Sequence, residues 1–462
     1  MDHSTPHERL RPWERWSVIV LILALVGFGV VVEVRSAFLE RRMGDVGCYL
    51  RAAWALRTDH NLYDIVDDNI WHYNYPPLYA ILMMPLADPP RGADTTGYVP
   101  YAVSAGICYL LNVLCLVLGV HWLASALEAS AGIDQSGLRG SRRWWLLRTT
   151  PIVVCIPTIG HTLNRGQTNI VLLMLVCGLI AGLMSGRRFR AGLCVAVAIC
   201  IKVFPAFLLL VPLWRRDGRC LAGTAVGLLV GLLLIPAAVM GPRKTVDAYR
   251  DFARVTIGPA LGMSDDQSRA EELIDTTATD NQSFQSVIQA SLHPDRDTRP
   301  RQASRSIKVA ALGLGAVLTL LTLWAGRRGR ARTGPGLALF VGCLALVMLM
   351  LSPVCHSHYF VLEVPLVLGL LALAWERRAR LNGPCVSIGD KGLVNLRTAA
   401  LFAFLIVGNI LPQLTSLIAL RDRGLPALAA LLLWIVSLRA LAGQTPEREE
   451  VMATPDSPPL AA

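Results

Sequence analysis

The sequence predicts an all-α polytopic membrane protein, and three observations carry that expectation. Of its 462 residues, 53% are hydrophobic and only 17% are charged, whereas a soluble chain of this length carries about 25% charged residues. Apolar stretches near the length of one crossing, roughly 20 residues, recur from Ser17 almost to the end of the chain. Short basic clusters stand between them, the pattern of loops kept on the cytoplasmic side.

The elements follow in order. The first apolar segment, about 17–36, lacks a small-residue cleavage site and is followed by Glu40, Arg41 and Arg42. It is therefore expected to stay as a span and not to be removed as a signal peptide. Residues 37–98 then form a first extracytoplasmic loop, whose Tyr49, Trp54, Trp71 and Tyr73 suit short helices at the interface. Segment 99–125 returns, 147–163 leads out and 168–185 returns again.

Between Arg190 and Arg215 there is room for one span, yet both flanks are basic. Pro205 ends a helix, so the expectation is two short half-helices that double back with Lys202 near their tip. Non-helical backbone at membrane depth is tolerated where it lines a polar cavity. Segment 221–240, a second outer loop at 241–303, and segments 306–325, 336–352, 357–375, 398–418 and 425–442 complete the set. That makes about twelve segments by the span-length rule. Residues 1–16 are the expected cytoplasmic N-terminus, 17–442 the membrane-embedded domain and 443–462 a polar, Pro-rich, disordered cytoplasmic tail. No internal or inverted repeat is visible.

The net charge of +11 does not indicate nucleic-acid binding, because the basic residues are dispersed as topology signals. Cys108, Cys115, Cys177, Cys194, Cys200 and Cys343 lie inside apolar runs, where cysteine acts as a small hydrophobe. No Cys pair or Cys/His spacing suggests zinc or redox chemistry, and no metal is expected.

Polar residues in so apolar a chain are costly unless they meet around a water-accessible cavity. Asp45 follows the first span between Gly44 and Gly47, at the start of a helical stretch reaching Leu56. A helix N-terminus favours its ionised form, the form a general base needs. Tyr75-Pro76-Pro77-Leu78 reads as a rigid extended turn. Asn164-Arg165-Gly166-Gln167-Thr168-Asn169 lies between two spans. Gly and Asn explain the turn there; Arg165 and Gln167 go further and can bind phosphate or sugar hydroxyls. Lys202 sits in an apolar setting without a nearby carboxylate in sequence, and intramembrane lysines are functional or snorkel to the headgroups. His356 and His358 follow Ser352-Pro353 at the end of another span.

An aspartate after span one, then Tyr-Pro-Pro-Leu, then Gly-Gln-Thr-Asn, then Ile201-Lys202-Val203-Phe204-Pro205, then Ser-Pro with His356 and His358 together resemble the family 87 glycosyltransferases. The resemblance runs from about Gly44 to Tyr359. It implies a C-type glycosyltransferase fold and a polyprenyl-phosphate sugar donor, most often mannose, used on the extracytoplasmic face of the plasma membrane. It implies a lipid or glycan acceptor, with the lipid-linked sugar as a substrate and no cofactor. Asp45 matches the family's first-loop aspartate and Lys202 its basic phosphate-binding position, while either His356 or His358 is the counterpart of its late histidine. Arg165, Gln167, Asn169 and Tyr75 are the further substrate-binding candidates. The alternative from the residues alone is a transporter or flippase of a lipid-linked or polar substrate, which also uses broken helices and buried charge.

Overall fold

The computed structural model describes residues 9–37, 39, 44–132, 139–261, 263, 268–327, 331–332, 334–381 and 396–443. Its first half comprises α1 (Pro12–Ala37), α2 (Gly44–Arg57), α3 (Pro77–Met83), α4 (Tyr101–Ser130), α5 (Arg142–Val154), α6 (Ile156–Arg165), α7 (Asn169–Met184) and α8 (Arg188–Ile201). There follow α9 (Phe204–Trp214), α10 (Gly218–Met240), α11 (Pro242–Phe252), α12 (Phe284–Leu292) and α13 (Arg305–Ala325). The chain ends with α14 (Gly334–Leu351), α15 (Ser357–Glu376), α16 (Leu396–Gln413) and α17 (Leu425–Ala442). Among the described residues there is no strand, only isolated bridges.

Every apolar segment read from the sequence is helical. Eight helices (α1, α4, α10 and α13–α17) are long and apolar enough to cross a membrane, and α5 with α6 makes a ninth if that pair, bent by 66°, is one span. The apolar helices Pro77–Leu86 (from α3), α7 and α9 are shorter. The tail from Gln444 and the basic Lys391 lie outside the described residues.

α14 and α15 form the centre. Their apolar windows are 94% and 83% buried, against 17% for α1. A helix covered on all sides must be apolar all round, and Phe340, Leu344, Leu362 and Leu366 are fully buried.

The short elements after α7 behave as the basic flanks require. α8 stops at Lys202, whose backbone is extended (φ −139°, ψ 140°), and the chain restarts as α9 with Pro205 in its first turn. It then comes back to its starting end, where Arg188 Nε at the head of α8 lies 3.5 Å from Asp217 Oδ2 beyond α9. Asp217 also caps α10 by accepting from the Cys220 amide at 3.1 Å. α10 lies so close to α8 that a Cβ on Gly192 would stand 2.0 Å from the Cys220 carbonyl oxygen. On the other side, a Cβ on Gly223 would stand 2.1 Å from that of Phe189. Glycine is required at both crossings.

The two long loops fold together over this frame. Tyr73 donates its hydroxyl to the Pro76 carbonyl at 2.7 Å and accepts from the Ala80 amide at 3.0 Å, which holds the Pro76-Pro77 turn against α3. Arg269 of the second loop donates to Tyr73 O and Asn74 Oδ1, both at 2.9 Å. His72 Nδ1 lies 2.6 Å from Glu272 Oε1. Further on, Asp280-Asn281-Gln282-Ser283 is fastened to the segment before α15. The Gln282 amide donates to Cys355 O at 2.6 Å, and Asn281 Oδ1 accepts from the Cys355 amide at 3.0 Å.

Candidate active site

A cavity of about 880 Å³ opens where the start of α2, the α6–α7 turn, the α8–α9 break and the segment before α15 meet. Asp45, Tyr75, Arg165, Gln167, Lys202 and His356 all line it. Residues separated by most of the chain are thus brought together. Asn169 and His358 stand behind this layer, both almost fully buried.

Asp45 occupies the first turn of α2. Arg165 is the last residue of α6, and Gly166 after it takes a left-handed conformation (φ 67°) that turns the chain into α7. This turn aims Arg165 at α2, where its Nε donates to Asp45 Oδ2 at 2.6 Å. Among the described residues no other side chain hydrogen-bonds to this carboxylate.

Lys202 is only 3% exposed. Its Nζ donates to Gln167 Oε1 and Asn169 Oδ1, each at 3.0 Å. The rings of Tyr359, Tyr75 and Phe204 surround it with centroids at 4.6, 5.1 and 5.7 Å. The Tyr49 hydroxyl donates to the same Gln167 oxygen at 3.1 Å. Among the described residues no carboxylate comes within ion-pairing distance of Lys202. Amide oxygens and ring faces orient the ammonium but do not neutralise it, and a buried cation in that condition attracts an anion.

His356 Nδ1 lies 3.0 Å from Asp280 Oδ2. Burial would push the Asp280 carboxyl up, but His356 beside it, with Arg165 and Arg421 further off, holds it well below the usual carboxylate range. His356 stacks on His358 (centroids 5.4 Å, 14° between planes) and covers it from the cavity. Of the two histidines, His356 lines the cavity, while His358 stands behind it.

Sequence reasoning missed Asp280, Tyr49 and the rim formed by Trp71, His72, Asn74 and Glu272. The signal for Asp280 was present in Asp280-Asn281-Gln282-Ser283, a polar turn inside the second loop. Nothing in the sequence pointed to its pairing with His356.

The model of Glycosyltransferase family 87 matches residues 73–353. The chain belongs to glycosyltransferase family 87. The matched region takes in Tyr75, Arg165, Gln167, Asn169 and Lys202, while Asp45 precedes it and both histidines follow it. One relative is a polyprenol-phosphate-mannose-dependent alpha-(1-2)-phosphatidylinositol mannoside mannosyltransferase of Mycobacterium tuberculosis. It is 27% identical over 81% of this chain and 76% of its own length. A second is a polyprenol-phosphate-mannose-dependent alpha-(1-2)-phosphatidylinositol pentamannoside mannosyltransferase of Mycolicibacterium smegmatis, 26% identical over 83% of each chain. Among solved structures, ArnT from Cupriavidus metallidurans bound to undecaprenyl phosphate aligns at 15% identity over 92% of this chain and 77% of that one. The TM-score of that alignment is 0.38. Family membership makes this chain a membrane glycosyltransferase and sets aside the transporter alternative.

Proposed function

We propose that this protein transfers a hexose, mannose first among candidates, from a polyprenyl-phosphate sugar to a hydroxyl of a lipid or glycan acceptor. The observation that carries the reading is Lys202: a buried ammonium, oriented by two amides, without a counter-ion among the described residues and facing a cavity that also holds a carboxylate. A lipid-linked phosphate supplies the missing anion. Phe204, Phe207, Met348 and Leu351 on the same cavity supply an apolar wall for the first part of its chain.

In this reading Asp45 takes the proton of the acceptor hydroxyl as that oxygen attacks the anomeric carbon. The bond from that carbon to the phosphate oxygen breaks, and the leaving polyprenyl phosphate keeps the electron pair. Lys202 and Arg165 stabilise the growing charge on it. Attack opposite the leaving group inverts the anomeric centre, so a beta-linked donor yields an alpha product. His356, held by Asp280, and the hydroxyl of Tyr75 contact the sugar or the phosphate. The donor lipid is a substrate, and the reaction needs no further cofactor. The two mannosyltransferase relatives, both polyprenol-phosphate-mannose-dependent, support mannose as donor sugar. The basic clusters between the spans support a site on the extracytoplasmic face of the membrane.

Membranes containing the protein, given radiolabelled polyprenyl-phosphate-mannose and candidate acceptor lipids, test this directly. Label is expected in the acceptor fraction from the lipid donor. Transfer from a nucleotide sugar with none from the lipid donor would overturn the proposal.

A further inference from the structure

A second cavity, of about 630 Å³, lies at the other end of α1. The far end of α1 lies beside the candidate active site, where Arg35 donates to Asn164 next to Arg165. Twenty residues of helix separate Arg15 from Arg35, so at 1.5 Å per residue the two cavities are roughly 30 Å apart.

Three arginines line the second cavity: Arg9, Arg15 and Arg139. Among the described residues none that lines it is acidic. Among the described residues the carboxylate nearest in sequence, Glu14, is 2% exposed and already held by Arg142 Nε at 2.7 and 2.9 Å and by the Arg11 amide at 2.9 Å. That ion pair and the bridge between Arg9 and Ser141 fasten the first turn of α1 and the segment before it to the start of α5. The pocket is thus a fixed feature between two elements, carrying three positive charges that Glu14 does not neutralise.

Its floor is apolar and continuous with the outer face of α1. Arg15, Val18, Ile19 and Ile22 stand at helical spacing on one stripe, and all four line the pocket. Ile19 and Ile22 are exposed, like most of this helix. On α1 beside Arg15, Trp13 and Trp16 are also exposed, the placement tryptophan takes at a membrane–water boundary. The arginines therefore sit at headgroup level and the apolar stripe runs from them toward the membrane interior.

We propose that this pocket binds an anionic phospholipid, its headgroup phosphate on Arg9, Arg15 and Arg139 and an acyl chain along Val18, Ile19 and Ile22. A soluble phosphate would match the arginines but leave the stripe unused. A zwitterionic lipid would match the stripe but present its own cation to three arginines. Only an anionic lipid fits both halves.

The test is native mass spectrometry of the detergent-solubilised full chain titrated with phosphatidylglycerol, with phosphatidylcholine of the same acyl chains, and with inorganic phosphate. Phosphatidylglycerol is expected to be retained preferentially. In Arg9→Gln/Arg15→Gln/Arg139→Gln the preference is expected to fall roughly 10²-fold, a factor of about five for each arginine. The same neutralisation at Arg187 and Arg190, outside the pocket, should leave it in place. Arg139→Gln alone should lower it about fivefold, which keeps the test open if the triple variant folds poorly. Equal retention of both lipids by the unaltered protein would overturn the proposal, as would a preference unchanged by Arg139→Gln. Displacement of the lipid by millimolar inorganic phosphate would overturn it in favour of a soluble-anion site.

Discussion

Arg165 Nε lies 2.6 Å from Asp45 Oδ2, joining the last residue of one helix to the first turn of another. The cation and the candidate base thus share one hydrogen bond at the mouth of the cavity. Arg165 aligns the carboxylate and is itself placed to meet a donor phosphate. Arg165→Ala is expected to lower kcat and raise the donor KM together, because it removes both contacts. Arg165→Lys should restore the donor KM more fully than kcat, since a point charge attracts phosphate but lacks the guanidinium fork. Steady-state transfer assays with each substrate varied in turn check this; a changed acceptor KM alone would be the contrary result.

Asp45→Asn preserves size and can still accept from Arg165, but it cannot take a proton. Transfer is expected to fall about 10²–10⁴-fold, the range for general-base catalysis, with the amount of folded protein in the membrane unchanged. Comparable turnover by the variant and the parent would move the base elsewhere.

For Lys202 the expectation is a weaker donor interaction. Lys202→Met removes the uncompensated cation and keeps most of the bulk, so the donor KM should rise while the acceptor KM stays nearly constant. The variant also leaves Gln167 and Asn169 without their shared donor, so a control for folding by thermal unfolding in detergent belongs beside the kinetics. An unaltered donor KM in a well-folded variant would reduce Lys202 to a structural anchor.

Asp280→Asn is expected to loosen His356 and slow transfer about 10²-fold, the cost of small misplacement near reacting atoms. The pH dependence has a defined sign. The Asp280 carboxyl is held below its usual range when folded, so its ionisation stabilises the protein fully above that range, near pH 4, and less as pH falls below it. The stability gap between parent and Asp280→Asn should therefore be constant near neutrality and shrink in acid. Unfolding followed across acidic pH checks it; a gap that widens as pH falls would contradict the pairing.

Gly192→Ala tests the packing that carries the hairpin. The new Cβ would stand 2.0 Å from the Cys220 carbonyl oxygen, and overpacking of this kind costs about 1–3 kcal/mol. Gly313→Ala in α13, where a Cβ meets nothing within 4 Å, should be neutral or slightly stabilising. Equal thermal midpoints for the two variants would show that α8 and α10 separate easily.

The sequence by itself determined the helical membrane architecture, the position of the break at Lys202 and most of the polar residues that meet. Each of these rests on a local pattern. Apolar runs report span length, Pro205 stops a helix at once, and a charge inside an apolar run is visible without knowing its neighbours. The doubling-back also followed, because two basic flanks constrain the segment between them. The tertiary structure alone decided which groups touch. Asp45 and Arg165 are 120 positions apart, His356 covers His358 only because of how the segment before α15 is laid down, and Asp280 reaches His356 from a loop that carried no mark of its partner. Local patterns have periods of a few residues, whereas these contacts depend on how helices pack, and packing is set by the whole chain at once.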